Sequence, residues 1–156
     1  VLVGDSCQFG GQVGTVEDIG LRSTRIRTPD RTVVTIPNAQ FSTMTLENYS
    51  RRDRMWFHPT LHLRRSTKPE QIREMMDAVT KLLQAHPMVD ASGVPLRFTK
   101  ITDQSFDLEI FSYVQTADYN EYLKVQSELL LKIIDAAAER NVGFAVPFQE
   151  SITAGQ

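Results

Sequence analysis

The chain has 156 residues, 41% of them hydrophobic and 23% charged, with a net charge of −2. That is enough to bury a core in one domain or in two small ones. One cysteine, Cys7, excludes an intrachain disulfide and a cysteine-based metal cluster. The longest apolar runs, such as Leu129 to Leu131, fall far short of the roughly 20 residues a spanning helix needs.

Charge is unevenly distributed. Through Arg65 there are nine arginines, no lysine and six acids, a balance of +3; after it come eight basic residues and thirteen acids, a balance of −5. Two domains with different surfaces are expected. The chain opens on Val1 with neither an initiator methionine nor a signal-peptide pattern, and reads as a piece of a longer parent.

In chain order, strands are expected near Asp5–Phe9, Gln12–Asp18, Leu21–Thr28, Thr32–Ile36 and Thr43–Tyr49, with no connection long enough for a helix. This is an all-β domain, a small meandering sheet or barrel. Gly10 and Gly11 suit a tight hairpin turn, and Pro29-Asp30 the centre of a type I turn. Cys7 lies within a strand pattern with no His or Lys beside it, as an inert small side chain does.

The polar stretch Asn48–Arg54 marks the boundary, giving domains at residues 1–50 and 51–156. From Met55 a strand runs to about Leu63, with Phe57, Leu61 and Leu63 on one face and Trp56, His58, Thr60 and His62 on the other. Thr67 and Glu70 form a capping-box pattern at the start of a helix whose stripe is Ile72, Met75, Met76, Val79, Leu82 and Leu83, ending at His86-Pro87. A hairpin follows, Leu96–Thr102 and Ser105–Val114, turning at Asp103-Gln104. A second helix begins at Asp118, with Glu121 three residues on, and stops at Asn141-Val142-Gly143 before a last extended segment from Phe144 to about Glu150. The order β-α-β-β-α-β is ferredoxin-like, so the fold class is α+β.

No catalytic or metal-binding constellation emerges. His58 and His62 lie about 13 Å apart along a strand, whereas two ligands of one zinc lie within about 4 Å. His86, in the last turn of a helix, suits a cation at the negative end of the dipole. Asp107 and Glu109, with Asp103 in the same parity, read as a solvated strand face. Gly10, Gly11 and Gly14 lead into a strand with no following Gly-Lys-Ser/Thr, so they form no phosphate loop. Arg22, Arg25, Arg27, Arg31, Arg51, Arg52 and Arg54 make a basic surface, but Asp30 and Asp53 interrupt it and no aromatic residues interleave with it. No nucleic-acid partner, cofactor, metal or enzymatic activity is expected; the arginines read as salt-bridging and backbone-bonding groups.

Gly14, Val16 and Ile19, then Arg22 and Thr24, Arg27 and Asp30, and finally Ile36, Pro37 and Asn38 stand in an order that resembles the soluble part of the small-conductance mechanosensitive (MscS-like) channel family. The resemblance implies an Sm-like β barrel followed by a mixed α/β domain and a short strand that joins its symmetry mates. It further implies that seven copies surround a hollow cytoplasmic vestibule beneath pore helices upstream of Val1, in the inner membrane. Side openings near the domain junction would bring Asn48, Arg51, Arg52 and Arg54 close to the portals, through which ions and small solutes pass on osmotic downshock. Phe144 to Gln149 resembles the family's apolar-Pro-aromatic segment, and Glu150–Gln156 would supply the last strand, for which Ala154-Gly155 make a poor ending. The alternative is a soluble two-domain regulatory or ligand-binding module without channel activity.

Overall fold

A computed structural model describes residues 1–146. The chain divides into two compact units, Val1–Asp53 and Arg54–Gln156.

The first unit is one antiparallel sheet. Its strands are β1 (Ser6–Phe9), β2 (Gln12–Ile19), β3 (Ser23–Arg27), β4 (Val33–Pro37) and β5 (Leu46–Asn48). They stand in the order β4-β3-β2-β1-β5. Gly10 and Gly11, at φ 50° and 80°, let β1 turn directly into β2 with Phe9 opposite Gln12. Phe9, Ile26 and Ile36 form the core, with Val34, Phe41, Met44 and Leu46 packed on it.

At the β3–β4 turn, the Arg31 amide donates to the Thr28 carbonyl (2.9 Å), which puts Pro29 and Asp30 at the centre as expected. Arg31 follows in the left-handed region at φ 70°. A side chain there costs about 1–2 kcal/mol. Arg31→Gly is therefore expected to raise the urea midpoint of unfolding, by about 0.5–1 kcal/mol once the lost Arg31 constraint on the unfolded chain is included.

The sequence leaves no room for a helix in this unit, yet the structure has one turn, α1 (Asn38–Phe41), after Pro37. The Thr43 and Met44 amides donate to the Gln40 and Phe41 carbonyls, so these residues close the turn and β5 starts only at Leu46. Four residues are too few for an i, i+4 repeat to announce them.

In the second unit, the strand expected from Met55 to Leu63 is two strands, β6 (Met55–Phe57) and β7 (Thr60–Arg64). Pro59 has no amide hydrogen and breaks the ladder. Its carbonyl accepts from the Ile110 amide at 3.0 Å. The facing strand breaks at the same level into β10 (Ser105–Ile110) and β11 (Ser112–Val114), where the Phe111 amide turns away to the Pro95 carbonyl at 2.8 Å. With β8 (Val89–Asp90) and β9 (Leu96–Ile101) this gives two three-stranded sheets, β7-β10-β9 and β6-β11-β8.

Helices α2 (Pro69–Ala85) and α3 (Tyr119–Glu139) bury Ile72, Met75, Val79, Leu83, Val125, Leu129, Ile133, Ala136 and Ala137 against the inward strand residues Phe57, Leu61, Leu63, Leu108, Ile110 and Val114. Each large side chain so buried contributes about 1.5–3 kcal/mol.

The α2 cap lies one residue beyond the expected Thr67. Pro69 occupies the first helical position, and Gln71 Oε1 accepts from the Lys68 amide at 2.9 Å. Thr67 instead donates to the Arg64 carbonyl at 2.6 Å. Asp118 caps α3 by accepting from the Asn120 amide, 2.9 Å. The end of α3 is a Schellman motif: Asn141 adopts φ 55°, and the Val142 amide reaches the Ala137 carbonyl at 2.9 Å. Phe144 then bridges Leu63 in antiparallel sense, which sets the spatial order Phe144–β7–β10–β9. The later part of the expected Phe144–Glu150 segment and all of Glu150–Gln156 lie outside the described residues.

Candidate functional site

Side-chain alternation continues through both strand breaks. The residues that do not enter the core therefore share one outer sheet face of the second unit, opposite the helices. The β6–β11 pairing sets Trp56 opposite Tyr113, and the β11–β8 pairing sets Tyr113 opposite Asp90. Trp56 stacks on His58 at 3.5 Å between ring centroids and meets the edge of Phe111 at 5.4 Å. Phe111 in turn meets Tyr113 at 5.7 Å.

Two guanidinium groups flank this strip. Arg54 lies 4.2 Å over Tyr113 and pairs with Asp90 at 3.1 Å; Arg97 lies 5.8 Å from Phe111. Trp56 and Phe111 remain 46% and 41% exposed. The Tyr122 hydroxyl donates to the Trp56 carbonyl at 3.2 Å, so α3 holds the strand that presents the indole.

Farther along the same face the character becomes polar. Asp107, expected on a solvated face, is only 5% exposed. Strand register places it opposite His62, and its Oδ1 takes bonds from His62 Nδ1 and Ser105 Oγ, both at 2.7 Å. These residues border an open cleft of about 550 Å³ that also touches Thr102, Gln104 and Val146. Three residue types of a hydrolase triad are present in the wrong connectivity. The serine bonds the carboxylate and not the imidazole, so no base is positioned to activate it.

Burial pushes the Asp107 carboxyl up, but the Ser105 hydroxyl and the His62 ring outweigh it and hold the group below its usual value. A depressed carboxylate contributes stability above its unfolded pKa near 4 and loses it as pH falls through the folded value. Asp107→Asn is therefore expected to destabilise by about 1–3 kcal/mol at pH 7. Urea midpoints should show that difference shrinking as pH falls below about 4.

His86 follows the last residue of α2. The Met88 amide donates to its Nδ1 at 3.1 Å, and its Nε2 lies 3.0 Å from a Glu128 carboxylate oxygen, so the ring ties α2 to α3.

The expected motif residues of the first unit are brought together around β2–β3–β4. Val16, Thr24 and Ile36 are buried; Ile19, Arg22, Asp30 and Pro37 are exposed. Gly14 is buried against Ile26. Arg27 grips both oxygens of Glu17, at 2.9 and 3.2 Å. Thr24 Oγ1 donates to Asn38 Oδ1 (2.8 Å), while Asn38 Nδ2 donates to the Gly20 carbonyl (2.9 Å) and the Asn38 amide to the Arg22 carbonyl (2.8 Å). Asn38 thus locks the loop after β2 to the end of β4. Near the boundary, Asn48 accepts from the Ser50 amide and donates to Asp5, capping a 3-10 turn at Tyr49–Arg51, and Arg52 lies 4.9 Å over the Tyr49 ring. Arg51 is exposed.

Residues 60–144 match the family model described as mechanosensitive ion channel MscS, C-terminal. The chain belongs to the MscS family. Residues 1–51 match the mechanosensitive ion channel β-domain model, which takes in the whole Gly14–Asn38 motif. An uncharacterized MscS family protein of Aquifex aeolicus is 36% identical over 94% of this chain and 40% of its own length. The small-conductance mechanosensitive channel MscMJ of Methanocaldococcus jannaschii is 34% identical over 88% of this chain and 39% of its own length. This chain thus spans about two fifths of these relatives. Arabidopsis thaliana MSL1, at 20% identity, shares the fold with a TM-score of 0.83 over 94% of this chain and 53% of its own.

The matching family models describe mechanosensitive ion channels, not enzymes. Among the described residues no helix is long and apolar enough to cross a membrane. Strand parity put Trp56 on an outward face in the sequence; its meeting with Phe111 and Tyr113, and their contacts with Arg54 and Arg97, depend on which strands pair.

Proposed function

We propose that this MscS chain forms the cytoplasmic vestibule wall of a tension-gated channel in the inner membrane, which releases ions and small solutes on osmotic downshock. The observation that carries the reading is the succession of the two family matches, β-domain then C-terminal domain, along a chain spanning about two fifths of its relatives. Pore helices precede Val1, and seven copies close a ring.

In this reading residues 1–50 are an Sm-like small barrel and 51–156 a ferredoxin-like domain. The five-stranded antiparallel order supports the first. The order Phe144–β7–β10–β9, with α2 and α3 as the two connections, supports the second. Gly14, Val16, Ile19, Arg22, Thr24, Arg27, Asp30, Ile36, Pro37 and Asn38 form the scaffold of the barrel. Asn48, Arg51, Arg52 and Arg54 border the side portals, where charged linings bias which ions gather at the entrance.

The chain's work is then geometric and electrostatic: a cage screens solutes by size, while tension acts on the upstream helices. Reading the coding sequence upstream of Val1 tests this. At least one apolar stretch of about 20 residues is expected shortly before Gly4; a wholly polar upstream sequence contradicts the assignment.

A further inference from the structure

The open cleft of about 550 Å³ on the second unit has a charged floor. A buried carboxylate is costly unless partners take up its oxygens. Asp107 is 5% exposed, yet both hydrogen bonds to its carboxylate, from His62 and Ser105, arrive at Oδ1. Oδ2 accepts none among the described residues and is not sealed in, so it opens on the cleft that this residue lines. Against the cost of burial, the Ser105 hydroxyl and the His62 ring hold the carboxyl below its ordinary value, which leaves it ionised at neutral pH. A buried charge with one open oxygen at the floor of a cavity is a pattern of binding sites.

The open groups select the chemistry of the ligand. Asp103, on the turn between β9 and β10, borders the same cleft and is in no hydrogen bond or ion pair among the described residues. Arg65 is engaged by the Thr102 carbonyl at 2.9 Å and by the Phe106 ring at 4.9 Å. Lys100 stands opposite Asp107 in the β9–β10 register but forms no ion pair with it. Two carboxylates thus keep open acceptor positions, which suit a cationic donor. A guanidinium fork would need both oxygens of one carboxylate, and Oδ1 already carries two bonds. An ammonium group needs only one. Ala145 and Val146 line the cleft beside these acceptors and offer an apolar wall for methylene carbons.

We propose that this cleft binds small alkylammonium solutes: one ammonium donates to Asp107 Oδ2, the methylenes lie along Ala145 and Val146, and a second ammonium, where present, reaches Asp103 at the rim. The site uses groups of the second unit alone. It therefore stands apart from the vestibule reading, and its failure would leave that reading untouched.

The test titrates the 156-residue chain with 1,4-diaminobutane and with butylamine at constant pH and ionic strength, followed by calorimetry and by two-dimensional amide NMR. Saturable binding is expected, with amide shifts confined to the cleft, at Gln104, Ser105, Asp107 and Ala145 above all. Tetramethylammonium carries the charge without an N–H donor and should bind about tenfold more weakly or worse. Asp103→Asn, at an exposed side chain, should weaken the diamine about threefold and leave butylamine unchanged. Asp107→Asn should weaken both amines about tenfold or more. If that variant does not fold, the Asp103 variant and the shift map decide the matter. No saturable signal up to about 50 mM amine overturns the proposal. So does tetramethylammonium binding as well as butylamine, a set of shifts spread evenly over the surface, or a folded Asp107→Asn chain that binds like the original.

Discussion

Phe57→Ala is expected to lower the unfolding free energy of the second unit by about 3–5 kcal/mol, read from urea or thermal denaturation. Phe57 is 1% exposed and belongs to the core built from both helices and the inward strand residues. Its strand has three residues, stops before His58-Pro59, and is held on one side by β11. Little else can relax into the volume a phenyl ring vacates, so the cavity contribution is near its upper range. The loss also reaches the outer face. Trp56 and His58 flank Phe57 and point the other way, so loosening the anchor should make Trp56 more easily quenched under conditions where the variant is still folded. A loss below about 1 kcal/mol would show that the β6–β11–β8 sheet is not packed on the helices as described.

Gly14→Ala should cost about 1–3 kcal/mol in the first unit, as overpacking does in a close-packed site. The reason is not backbone freedom, since Gly14 is not in the left-handed region. A Cβ at this position would lie 2.4 Å from the Ile26 Cγ2 methyl and 3.0 Å from the Arg27 carbonyl oxygen. Ile26 is fully buried between Phe9 and Ile36, so its methyl cannot swing away without displacing the core, and the carbonyl belongs to the β2–β3 ladder. An Ile26→Leu change on the Gly14→Ala background should recover part of the loss, because leucine carries no Cγ2 methyl on its Cβ. Gly14→Ala without effect on the denaturation midpoint would contradict this packing.

Much of this architecture could be read in the residues themselves because its causes are local. Gly10-Gly11 turns a hairpin, Asp118 caps α3, and the stripe from Ile72 to Leu83 faces the core as its spacing requires. The departures have nonlocal or one-residue causes. Pro59 separates β6 from β7 and leaves the first three residues of an apparent nine-residue strand in another sheet. Pro69 moves the helix cap from Thr67 to Lys68. Asp107 follows the outward parity, yet His62 and Ser105 close over it because strand pairing brings residues 45 apart into contact. The aromatic strip shows the same division. Parity put Trp56 on the outward face of its own strand, whereas its meeting with Phe111 and Tyr113 and the placing of Arg54 and Arg97 depend on how the strands pair. Burial in a core is announced by periodicity; the partners of a polar side chain are announced only by the fold.

The measurement that bears most directly on the vestibule reading is a patch-clamp recording under graded suction. It uses membranes from cells that express the full-length product of the gene encoding this chain and lack other stretch-activated channels. The account predicts single-channel currents whose open probability rises with suction and which are absent from cells without the gene. A product that reaches the membrane in quantity yet passes no current up to patch rupture would contradict it.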